Sequence, residues 1–148
     1  AAAAHYGVRT LRDIAAMPPS GNLDELSYRR ARHVISENAR TLAAATALQN
    51  GDLVQLGALM RESHDSMRDD FESSLPAVDR LQQILSDKIG GNGGARLTGG
   101  GFGGAVVAIL PSDKAAEVER FVLAEYRTPA GNPPMIIAET PSAGASFL

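Results

Sequence analysis

The groups best placed to do chemistry in this chain belong to its backbone. The segment Thr98-Gly99-Gly100-Gly101-Phe102-Gly103-Gly104 packs five glycines into the six positions after the threonine. A tight connection between two strands needs only one or two residues of positive φ. Each surplus glycine costs roughly 0.5 to 1 kcal/mol relative to alanine in a regular element, through the freedom it loses on folding. That cost is offset where backbone approaches a ligand or another backbone more closely than a Cβ allows, with N–H groups left to face an anion. Gly99, Gly101 and Gly104 satisfy the spacing G-x-G-x-x-G, but Ala105 to Leu110 reads as a strand where dinucleotide binding needs a helix N-terminus. No Lys-Ser or Lys-Thr follows the glycines, so the phosphate-loop pattern fails too. The plain alternative is a flexible hairpin without a site.

Other polar groups call for quieter readings. Asp69-Asp70 is a carboxylate pair of the kind that holds Mg²⁺ or takes up a proton. Neighbours on a helix diverge by about 100°, so ending the helix, or pairing with Arg68 or Arg96, is the expected role. His64 lies on the apolar line of its helix and is expected to be a hydrogen-bonded core residue. Arg29, His33, Glu37 and Arg40 fall on one helical face, where ion pairing along the surface or against another domain accounts for them. No residue is assigned as catalytic, and none as a metal ligand.

Composition bounds the rest. The chain has 148 residues, 44% hydrophobic and 21% charged, with a formal net charge of -3. These values suit one globular domain over residues 1–148. With no cysteine, a disulfide scaffold and any Cys-ligated zinc site are excluded. No polybasic patch suggests nucleic acid, and no apolar run reaches the roughly 18 residues of a membrane span. A cytoplasmic monomer is expected. Ala1 to Ala4 lacks the basic start of a signal peptide, and the absence of an initial methionine is what a piece of a longer protein would show.

The elements that must position the glycines follow from spacing. Asn22 or Asp24 caps a helix reaching about Asn50, with Ala31, Val34, Ile35, Leu42 and Ala45 on its apolar face. Gly51 ends it, and Asp52 caps a second helix with Leu53, Leu56, Met60, His64 and Met67 in line; the short join makes an antiparallel hairpin over 20–68. Ser74 and Pro76 open a third helix to Ile89, burying Val78, Leu81, Ile84 and Leu85. Of 15 glycines, nine lie between Gly90 and Gly104, so the texture changes there to short strands. Ala95 to Thr98 and the apolar run Ala105 to Leu110 read as strands, the second as a buried one. Pro111 and Ser112 open a helix to about Tyr126, and Met135 to Ala138 reads as a last strand. This order is most of a ferredoxin-like split βαβ unit over 69–148, with Asp69 to Ser73 as the candidate for its first strand. The expected class is therefore α+β: an antiparallel sheet with an added N-terminal helical hairpin.

The segment Gly94 to Gly104 resembles the C-terminal glycine motif of the galactokinases, within the wider GHMP family of small-molecule kinases. The glycines alone point only to the wider family. Tyr28-Arg29-Arg30-Ala31-Arg32-His33-Val34, Glu37-Asn38 and above all Glu62 to Glu72 narrow the resemblance to galactokinase. Gly7 to Asp13 and the ending Pro141 to Ala145 also fit. Leu97, Ala105 and Phe71 stand where methionine, cysteine and tyrosine are common, and none of these departures removes a charge or a backbone donor.

The resemblance implies transfer of the γ-phosphoryl group of Mg·ATP to the C1 hydroxyl of α-D-galactose, in a cleft between two domains. In that family the sugar-binding motif, the nucleotide phosphate loop and the catalytic Asp and Arg belong to an N-terminal domain whose motifs this chain lacks. The resemblance thus carries over only Gly99, Gly100, Gly101, Phe102, Gly103 and Gly104, as a substrate-side wall that lets sugar and nucleotide loop approach closely. It implies galactose and ATP as substrates of the complete enzyme, an N-terminal domain as partner, and neither ATP nor Mg²⁺ bound tightly by this chain alone. Left open are a kinase of a related sugar such as N-acetylgalactosamine or arabinose, and a catalytically silent galactose sensor.

Overall fold

Aspartate caps start the two long helices. The Asp24 carboxylate accepts the Ser27 N–H at 2.9 Å and the Asp52 carboxylate accepts that of Gln55 at 2.9 Å, each satisfying a donor the first helical turn leaves free. A computed structural model describes residues 1–141; the rest, including Ser142 to Ala145 of the expected closing motif, lies outside the described residues. The helices are α1 (Ala2–His5), α2 (Glu25–Gln49), α3 (Leu53–Asp69), α4 (Pro76–Ile89) and α5 (Ala115–Glu125), with short 3-10 turns at Leu11–Asp13 and Ser112–Lys114. Strands β1 (Gly94–Thr98) and β2 (Ala105–Ile109) pair antiparallel, Thr98 opposite Ala105 and Gly94 opposite Ile109. The architecture is the expected α+β fold, a helical hairpin added to an antiparallel sheet.

Three apolar clusters hold these elements. Ala47, Leu56 and Met60 close the tip of the α2–α3 hairpin and reach Ile109. Met67, Val78 and Leu97 meet at the centre, where Val106 joins them. Ile84, Val118, Val122 and Tyr126 bind α5 to α4, and the Tyr126 hydroxyl donates to the Ala77 carbonyl at 3.1 Å. Leu97 is 0% exposed, a burial that stabilises by about 2 kcal/mol. Close approach of α3 to β1 depends on Gly57: a Cβ there would stand 1.8 Å from the Gly93 carbonyl oxygen.

Several expectations are corrected. Asp69 to Ser73 is not a strand: Asp69 ends α3, Phe71 and Ser73 donate back to the carbonyls of Ser66 and Met67 at 2.9 Å each, and Glu72 has φ 55°, which no extended strand adopts. The outer edge of β1 is covered by helix side chains instead. His64 Nδ1 accepts the Leu97 N–H at 3.1 Å, and the Gln82 amide donates to the Ala95 carbonyl at 3.1 Å.

Ala105 to Ile109 is a strand, but it is not buried. It sits at the edge of a two-stranded sheet, and Val107 is 41% exposed because it lies on the face away from Leu97 and Val78. Met135 to Ala138 makes no ladder; Pro133 and Pro134 precede it without backbone donors, and only Ile136 packs onto the α4–α5 core. Leu42 and Ala45, expected on the buried face of α2, are exposed; Ala31 and Ile35 are buried as expected, and Ala47 joins them.

Candidate functional site

The six residues Gly99 to Gly104 connect β1 to β2 at the closed end of the hairpin. Four of the five glycines, Gly99, Gly101, Gly103 and Gly104, have φ between 83° and 130°, and Phe102 between them has φ 57°. Such a succession of positive φ values is one that L side chains resist. One point fixes the loop to the body: the Phe102 N–H donates to the Ser73 carbonyl at 2.7 Å. Beside it, a Cβ on Gly101 would stand 2.6 Å from that same oxygen. Around Gly99, Gly100 and Gly103, by contrast, an added Cβ meets nothing of the described residues within 4 Å. Phe102 is 72% exposed.

Behind the loop lies a polar ladder between α2 and α3. His33 Nδ1 stands 3.0 Å from the Ser66 hydroxyl, which donates to Asp70 at 3.1 Å; Asp70 in turn pairs with Arg32. Glu37 accepts from Ser63 at 2.8 Å and from Arg40 at 2.6 Å, with Arg96 of β1 3.6 Å away. Burial pushes the Glu37 carboxyl up, but Arg40, Ser63 and Arg96 together bring it below its ordinary value. Burial pushes the His33 ring down, Glu37 and Asp70 only partly opposing it.

His64 is 0% exposed, and burial holds its ring below the ordinary histidine value despite the Asp79 carboxylate 3.2 Å from Nε2. Because Nδ1 accepts from Leu97, the neutral ring carries its proton on Nε2, facing Asp79. His64 is thus the hydrogen-bonded core residue that its position on α3 suggests.

The structure separates the two aspartates. Asp69 pairs with Arg68 at 2.8 Å, which lowers its carboxyl, while Asp70 turns into the ladder and meets Arg32 in place of Arg68 or Arg96. They share no ligand site, and among the described residues no three His, Asp or Glu side chains are grouped as a metal would require. Among the described residues no helix is long and apolar enough to cross a membrane. Arg29, His33 and Glu37 engage α3 and the turn after it, while Arg40 pairs along α2 with Glu37 and Ser36.

Sequence reasoning misses two contributors: Glu72, bound to Arg29 and Arg30 at 2.8 and 2.5 Å, and Ser73, the anchor of the loop. A signal for the first exists in retrospect. Tyr28 to Val34 on α2 and Glu62 to Glu72 on the end of α3 and the turn after it, the stretches on which the resemblance to galactokinase mainly rests, are packed on each other.

The geometry fits a loop held by one face and open on the other. The family described as GHMP kinases C terminal matches residues 44–128. A galactokinase from Glaesserella parasuis serovar 5 (strain SH0165) is 45% identical over 136 residues, covering 88% of this chain and 35% of the relative. The crystal structure of Lactococcus lactis galactokinase complexed with galactose superimposes with a TM-score of 0.74 at 31% identity, over 85% of this chain and 33% of that one. The chain therefore spans about a third of the length of these relatives. With helices and an antiparallel pair arranged as in that fold, and more than half its length matched, this chain belongs to the GHMP kinases C-terminal family.

Proposed function

We propose that this chain is the C-terminal domain of a galactokinase, the enzyme that moves the γ-phosphoryl group of Mg·ATP to the C1 hydroxyl of α-D-galactose, and that Gly99 to Gly104 form one wall of its site. The observation that carries this reading is Gly100. Its φ is not positive and no atom of the described residues lies within 4 Å of an added Cβ, so neither backbone strain nor packing among those residues calls for glycine there. Close approach by something outside the described chain accounts for it. The similarity to galactokinases along most of the chain supplies the chemical class.

Phosphoryl transfer depends on positioning and on charges that face the transferred group. The loop contributes exposed backbone that carries no side chain except that of Phe102, which suits a polar substrate held against backbone. The described residues offer no cluster that would hold Mg²⁺, and no step through the metal or nucleotide is assigned to this chain. Those groups belong, on this reading, to the rest of the protein.

Gly101→Val is a poor probe, because the new side chain strikes Ser73 whatever the ligand. Gly100→Ala is the clean one. In the complete protein, supplied with ATP and galactose, it should lower kcat/KM by about tenfold with the unfolding midpoint unchanged. Unaltered kinetics would remove the loop from the site. Assays with N-acetylgalactosamine and arabinose in place of galactose test the choice of sugar.

A further inference from the structure

Among the described residues, Glu72 and Phe102 are the two non-glycine residues with positive φ, 55° and 57°. They are 30 positions apart in sequence and adjacent in space: the Phe102 N–H donates to the carbonyl of Ser73, the residue after Glu72, at 2.7 Å. Ser73 is itself 1% exposed, with its N–H on the Met67 carbonyl at 2.9 Å. The turn that carries it is gripped from α2. Arg29 donates to the Asp69 carbonyl at 3.0 Å and Arg30 to the Asp70 carbonyl, while the Glu72 carboxylate bridges the same two guanidiniums at 2.8 and 2.5 Å. The Arg32 guanidinium pairs with the Asp70 side chain. Adjacent arginines on one helical turn thus take both the carbonyls and the carboxylate of a turn 40 residues away.

We infer that Arg29, Arg30 and Glu72 are positioning residues for the glycine loop: they hold the turn in the left-handed conformation that presents the Ser73 carbonyl to Phe102. Through that one hydrogen bond the α2 arginines set how the loop aims its N–H groups. The assignment rests on the reading of the loop as a wall of the kinase site, but the clamp itself is a separate claim about this chain. Glu72 is 47% exposed in its side chain and its partners 27% and 32%, so the ion pairs add little to folding. Their geometry matters more than their strength.

Glu72→Gly tests this without unfolding the protein, since glycine adopts a φ of 55° freely while both ion pairs disappear. The expected result is amide hydrogen exchange at Phe102 about tenfold faster, with exchange in α4 and α5 unchanged, because only a local opening has become easier. Arg30→Ala should reproduce it. In the complete protein, kcat for galactose phosphorylation should fall about tenfold in Glu72→Gly with KM for galactose little altered, the mark of lost alignment and not of lost binding.

Exchange at Phe102 that stays at the parent rate overturns the inference, as does faster exchange with an unchanged kcat. Exchange that rises equally throughout the molecule reduces the clamp to an ordinary stabilising contact and also overturns it. A parent protein that leaves galactose unphosphorylated defeats the functional reading alone, and the exchange measurement then decides the clamp by itself.

Discussion

Glycines stand at both ends of β1 for opposite reasons. At its start, Gly57, Gly93 and Gly94 are pressed together: a Cβ on Gly94 would lie 2.7 Å from the Gly57 Cα, and one on Gly93 2.2 Å from the Ile109 carbonyl oxygen. At its far end, a Cβ on three of the five loop glycines would meet nothing of the described residues within 4 Å. The first group lets a helix lie against a strand. The second leaves room that the described chain does not use. Residue type alone does not distinguish structural glycines from functional ones; the surroundings of a missing Cβ do.

Gly57→Ala should break this contrast most severely, because backbone on both sides gives way only by moving α3 off β1. A loss of about 3 kcal/mol is expected in urea unfolding of the chain, and a neutral result would mean that the helix shifts freely. Gly103→Ala should cost about 1 kcal/mol, all of it from φ 130°, since no atom obstructs the new methyl. Gly100→Ala should change stability by less than about 0.5 kcal/mol, so the fall in activity expected from it stands apart from folding.

His64 adds a smaller effect, through pH. From α3 it reaches Leu97 of β1, between the two glycine groups, and helps close the outer edge of the strand. The folded chain keeps its ring neutral, mainly by burial, whereas the unfolded chain protonates near the ordinary value of about 6.5. Its contribution to stability is therefore complete above that pH and is lost as pH falls toward the lower folded value. His33, also lowered by burial, acts in the same direction. Unfolding midpoints measured from neutral pH downward should decline in this window, and His64→Gln should flatten the decline. A parallel slope in the variant would assign the whole effect to His33 and the carboxylates.

Much of the fold was legible because its signals are local. Asp24 and Asp52 each bond a backbone N–H three residues on, Pro76 stands at the first turn of α4, and the apolar line of α3 includes His64 at its buried position. The glycine loop was legible as well, since no regular element tolerates that density. The turn Asp69 to Ser73 was not. Its composition admits a strand, and the left-handed φ of Glu72 follows from arginines some 40 residues earlier in the chain. Nor did the apolar run Ala105 to Leu110 reveal its exposure, because burial depends on which neighbours a strand acquires.

By itself, then, the sequence determined the four helices α2 to α5, the β1–β2 hairpin, the unusual loop between them and the kinase family whose motifs the chain carries. Each of these is encoded in a few consecutive residues or in a spacing of three or four. Only the tertiary structure decided which glycines are packed and which are open, that β1 is edged by His64 and Gln82 in place of a third strand, and that Ser73 anchors the loop. The reason is distance along the chain: such contacts join residues 13 to 40 positions apart, and no local preference specifies a partner that far away.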